Sequence, residues 1–178
     1  MPICRGARRG VALVAVWCAG LLASCGGSKL CQGDCPSIGD SYSITSSTVS
    51  GACDFTPPIV PPSLTLTQSG DGQRVTLGLI DPVNQVPLPL LADVSVSDDN
   101  NATGLFIGFA RTVRQATLLD PRLLTLQTTV SGSVSVKHPR RQLSGVLNVT
   151  VISGSEAGKA CNTTTTFLGT GSAAVPSS

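Results

Sequence analysis

Apolar and polar residues alternate along most of this chain, and the period is two. Leu64 and Leu66 share one face of a short run while Thr65 and Thr67 share the other. The turn Ser69-Gly70-Asp71-Gly72-Gln73 follows, and Val75, Leu77 and Leu79 resume the alternation. Strand, glycine-rich turn and strand together predict a hairpin. Ala92, Val94 and Val96 then alternate with Asp93, Ser95 and Ser97, and Leu143, Leu147, Val149 and Val151 share a later face. Thr163, Thr165 and Phe167 predict a last strand within 161–170. Ser41 to Val49 is a weaker first strand. Leu105 to Ala110 is apolar on both faces, which predicts a strand covered on both sides. Leu124 to Val136 is long for one strand, and Gly132 is placed to bend it.

The connections carry turn chemistry. Thr56 to Pro62 and Asp81 to Pro89 are proline-containing links, because proline cannot donate to a central ladder. Thr112 to Pro121 has room for one helical turn. No segment sustains a 3.6-residue period with caps. The expected fold is therefore all-β: an antiparallel meander of about eight strands, closed as a small barrel or folded as a sandwich. Its body spans 41–170, with a flexible tail at 171–178.

The amino end is different. Arg5, Arg8 and Arg9 precede an apolar run from Val11 to Leu22, too short for the roughly 20 residues that span a bilayer. This pattern reads as a secretory signal peptide over 1–24. It ends in Leu22-Ala23-Ser24-Cys25, which resembles the lipobox of bacterial lipoproteins. That resemblance implies cleavage between Ser24 and Cys25, diacylglycerol on the Cys25 sulfur, and acylation of the new amine with palmitate-like chains. Several chains make a durable attachment, since each buried CH₂ adds about 0.8 kcal/mol. With no aspartate following Cys25, the resemblance further implies the outer membrane. Residues 25–40 then form a lipidated tether, read as a flexible spacer.

Cleavage would leave 154 of the 178 residues and, with three arginines gone, nine Lys+Arg against ten Asp+Glu. The whole-chain charge of +2 thus gives no case for a nucleic-acid partner. Four cysteines remain besides Cys25, an even number consistent with two disulfides in an exported protein. Of three connectivities we favour Cys31–Cys35 with Cys53–Cys161. A metal site at Cys31 and Cys35 would need two further ligands that the sequence does not supply nearby.

Little in the sequence points to catalysis, and no cofactor is expected. His138 is the sole histidine and sits beside Pro139 in a predicted hairpin tip, far from the buried carboxylate a triad requires. Gly-x-Ser-x-Gly, Walker and His-Glu-x-x-His motifs are missing from the sequence. Asp98, Asp99, Asn100 and Asn101 offer oxygen ligands, but as turn residues they need no ion. Lys137, His138, Arg140 and Arg141 read as a solvated basic tip, with Arg111, Arg114 and Arg122 scattered elsewhere.

From Ser41 to Thr170 the chain resembles a loose group of β-rich bacterial lipoproteins of unassigned function. The lipobox, Cys53-Asp54-Phe55, the run Leu64 to Asp71 and the late Cys161 carry that likeness. It is also similar to lipocalin-like barrels, whose first strand opens with Gly-x-Trp where this chain has Gly39-Asp40-Ser41-Tyr42. The first likeness implies a non-enzymatic envelope protein, an interaction or structural module with a protein partner. The second implies a barrel holding an apolar small molecule.

Overall fold

The computed structural model describes residues 28–33, 35–51, 53–97, 100–136, 139–153 and 161–174. Nine strands form one antiparallel sheet: β1 Ser28–Leu30, β2 Asp40–Ser50, β3 Ser63–Gln68, β4 Arg74–Ile80, β5 Pro87–Ser97, β6 Asn100–Gln115, β7 Leu123–Ser135, β8 Arg140–Ser153 and β9 Asn162–Ala174. Strands β2 to β9 each pair with the next, and β9 returns to pair with β2 (Tyr42 opposite Gly171). The result is an eight-stranded up-and-down barrel, so the sandwich alternative is not realised. Closure satisfies the edges that an open meander would expose. The ninth strand, β1, lies on β5 beyond the end of β4, with Ser28 opposite Ser97 and Leu30 opposite Ser95.

Alternation decides which side chains enter the barrel. Leu64, Leu66, Val75, Leu77, Leu90, Val94, Leu126, Val130, Leu147 and Val149 are all buried in one continuous core. Tyr42, Phe106 and Phe167 are the largest of the fully buried side chains. The two phenylalanines occupy one row across four strands: Phe106 faces Gly132, Gly132 faces Gly145, and Gly145 faces Phe167. A Cβ added at Gly132 would stand 2.4 Å from the Phe106 ring, and one at Gly145 would stand 2.3 Å from the Phe167 ring. The paired glycines are therefore the floor on which the two rings lie. Gly132 serves this packing within an unbroken β7.

Four elements differ from the sequence expectation. β5 begins at Pro87, so two prolines of the expected connection lie inside a strand. They are tolerated because this stretch pairs only with β4; pairing with β6 starts at Ala92 opposite Gly108. β6 runs on to Gln115, and the helical turn expected near Thr112 is instead strand followed by bends at 116–119. The spacer read over 25–40 is, from Ser28 on, part of the barrel assembly, with Ile38 fully buried. β9 likewise continues to Ala174, past the point at which a tail was expected.

Candidate functional site

Both mouths of the barrel are closed by chain. At one end, residues 31–33 and 35–39 lie across the opening and insert Ile38 against the bare backbone of Gly104, where a Cβ would come within 2.5 Å of it. Gln68 holds this strap with its whole amide. Its Oε1 accepts from Ile38 N–H (2.8 Å) and Gly39 N–H (3.1 Å), and its Nε2 donates to Pro36 O (3.0 Å) and Gly72 O (2.9 Å). The Tyr42 hydroxyl donates to Ile38 O at 2.6 Å. At the other end, residues 53–60 cross, burying Phe55 and Val60; Thr56 N–H donates to Ala116 O, and Ile59 bridges to Ile80.

Each strap is tied by an inward-facing arginine paired with an aspartate. Arg141 Nε donates to Ser37 O at 2.9 Å, and its Nη1 lies 3.3 Å from Asp40 Oδ2. At the opposite mouth an Arg114 Nη2 hydrogen donates to Thr56 O, while Nη1 lies 3.7 Å from Asp81 Oδ1. All four side chains are at least nine-tenths buried. Burial alone would raise the Asp40 carboxyl. The Ser172 hydroxyl, the Ala173 and Ser41 N–H groups and the Arg141 charge outweigh it and hold the carboxyl below its ordinary value. Burial lowers the Arg114 guanidinium, against the opposing pull of Asp81. Removing one member of such a pair strands the other charge away from water.

These pairs correct the reading of the basic residues. Arg140 is exposed, but Arg141 and Arg114 point inward and act as ties. Arg122 is bound to Asp120. Both expected disulfides form, Cys31–Cys35 and Cys53–Cys161, each with Cα atoms 5.5 Å apart. Cys31–Cys35 lies within the first strap, and Cys53–Cys161 joins the second strap to the start of β9. Ser24, Cys25, Asp98, Asp99, Lys137 and His138 lie outside the described residues, as do the side chains of Asn100 and Asn101.

Inside the barrel, three hydroxyls have no partner among the described residues: Thr128, Thr163 and Thr165. Thr128 and Thr163 flank Val149 in one row, and Thr165 faces Leu147 in the next. They mark the polar patch of an otherwise aliphatic lining.

Outside, the surface divides. β7, β8 and β9 present many serines and threonines, and a groove of about 430 Å³ behind the glycine row is lined by Ser131, Ser133, Ser144 and Thr166 together with Leu105, Val146 and Leu168. The β5–β6 flank is apolar instead. Leu91, Ile107, Phe109, Val113 and Leu123 are 50–67% exposed, and Leu119 in the β6–β7 turn is 97% exposed. This overturns the expectation of a β6 covered on both sides. Gly104 and Gly108 face inward because strap and barrel leave no space there: a Cβ on Gly108 would come within 2.5 Å of Leu91 O. Phe106 fills that interior face, so Ile107 and Phe109 must face out. The signal was present as Gly104 and Gly108 on the face of Phe106, against Leu105, Ile107 and Phe109 on the other. Comparison with family models, curated proteins and solved structures finds no match for this chain, so function must be argued from these side chains.

Proposed function

We propose that this chain is a lipid-anchored bacterial envelope protein whose barrel is a non-enzymatic interaction or structural module working through its outer face. The observation that carries the reading is the distribution of large side chains. Phe106, Phe167 and Tyr42 fill the interior, straps close both mouths, and Leu91, Ile107, Phe109 and Val113 stand outside together on the β5–β6 flank, with Val49 and Leu168 exposed elsewhere. A carrier needs a void and a way in, whereas this interior is packed with rings and aliphatic chains. The anchoring half of the proposal rests on the sequence from Arg5 to Cys25. Replacing Cys25 by serine tests it in cells. Membrane fractions should lose the mature protein, with release or accumulation of uncleaved precursor. Unchanged maturation and retention of the variant would refute lipid anchoring.

A further inference from the structure

We infer that the apolar β5–β6 flank rests on the lipid bilayer, so that the anchored barrel lies on its side and does not stand off on a stalk. The inference builds on the lipid-anchor reading and adds an orientation to it. Cys25 precedes Ser28 by three residues, which span at most about 10 Å when fully extended. Ser28 is already hydrogen-bonded into the sheet as the first residue of β1, and β1 lies on β5. Acyl chains on Cys25 would therefore hold the upper end of β5 within about 10 Å of the headgroups, leaving no length for a spacer.

The flank that this tether brings down bears a contiguous run of exposed apolar side chains, Leu91, Ile107, Phe109 and Val113. Ile107 pairs with Asp93, two residues along β5 from the contact with Leu30. From Ile107 the outward face of β6 continues through Phe109 to Val113, a stripe of about 20 Å at strand spacing. It ends at the fully exposed Leu119 and at Leu123. Arg111 lies within this face with its guanidinium 5.8 Å from the centre of the Phe109 ring. An arginine so placed can keep its stem along an apolar surface and reach phosphate with its head. On the far side of the barrel, the outward positions of β9 are Thr164, Thr166, Leu168 and Thr170, three hydroxyls around one half-exposed leucine. One flank is mostly apolar, with Arg111 and the exposed Arg74–Asp93 ion pair at its edge, and next to the anchor; the opposite flank is mostly hydroxylated, with Leu168 half-exposed among threonines. A bilayer surface fits that division, as it does for interfacial helices whose apolar face sinks about 5–10 Å into the headgroup boundary.

The experiment uses full-length protein, processed in cells and reconstituted into phospholipid vesicles with and without brominated acyl chains. The leader's Trp17 leaves on cleavage, so a single introduced tryptophan is the only indole in the mature chain. Phe109→Trp and Leu119→Trp report on the flank, and Thr166→Trp reports on the opposite face. Brominated lipid should quench the first two at least about twofold and leave the third unchanged, as expected for side chains at the acyl boundary. Equal, weak quenching at all three positions would overturn the inference. So would a blue-shifted but unquenched indole at 109 or 119, which would mean that a protein or a second copy covers the flank. Intact mass of the same samples separates the two readings. Acylated protein with unquenched flank reporters sinks the orientation alone, whereas protein without acyl chains sinks anchor and orientation together.

Discussion

Adding one methyl group at Gly145 puts the packed row of the barrel under strain. An ideal Cβ there would stand 2.3, 2.7 and 3.0 Å from three ring carbons of Phe167. Carbon atoms in contact prefer about 3.5–4.0 Å, so the ring must retreat by more than about 1 Å. It cannot do so freely, because Phe167 is only 1% exposed and Gly145 is paired to Gly132 across the sheet. Overpacking of this kind costs about 1–3 kcal/mol. Phe167→Leu alone leaves a void above the glycine and should cost on the order of 1–2 kcal/mol, less than the roughly 3–5 of a full truncation. In the double variant the shorter leucine makes room for the new methyl, so the costs should not add. A coupling of about 1–2 kcal/mol is expected. Urea unfolding followed by far-UV circular dichroism, with disulfides intact, measures all four corners of the cycle. Gly70→Ala is the control, since nothing lies within 4 Å of its Cβ and its loss should change stability by less than about 0.5 kcal/mol. The packing argument fails if Gly145→Ala is no worse than Gly70→Ala, or if the two row substitutions add within about 0.4 kcal/mol.

Other consequences can be checked in the same assay. The disulfides close chains of very different length, with sequence separations of 108 and 4. Loop entropy assigns about 4.8 kcal/mol to Cys53–Cys161 and about 1.9 to Cys31–Cys35. Replacing the first pair by alanine should therefore cost clearly more than replacing the second; equal costs would contradict the reasoning. Asp40 has a folded carboxyl below its unfolded value, so its contribution is present above about pH 4 and disappears as pH falls through the folded value. Asp40→Asn should flatten the acid limb of the stability curve, and an unaltered limb would remove Asp40 as its source. Thr163 and Thr165 bury hydroxyls without partners among the described residues, so valine at either position should stabilise by about 1 kcal/mol. Destabilisation by valine would reveal that those hydroxyls are bonded after all.

How much of this was readable beforehand depends on whether a feature is local. The period-two runs around Leu64, Val75, Val94 and Leu147 are set by which face meets the core, so strand identity and meander order were legible. That the four cysteines pair was legible from their even number, and the favoured connectivity of the three is the one that forms. Burial of Arg114 and Arg141 was not, because each depends on a partner 33 or 101 residues away, Asp81 or Asp40. In sequence, an arginine at a strand end looks like a solvated one. The straps were missed for the same reason: Ile38 lies in a segment whose composition says spacer, and only the open barrel mouth gives it a place to be buried. The apolar flank was hidden by a run with large residues on both faces. Its inward side is fixed by Gly104 and Gly108, whose crowding comes from Ile38, Leu90 and Leu91.

The account turns on an acylated amino terminus together with a barrel that carries nothing inside. Native mass spectrometry of the protein gently extracted from its own membranes, with no ligand added, reads both at once. It should find a chain beginning at Cys25, heavier than its polypeptide mass by covalent acyl groups and free of any stoichiometric companion. An unmodified or differently placed terminus, or a tightly held apolar molecule at one per barrel, would contradict it.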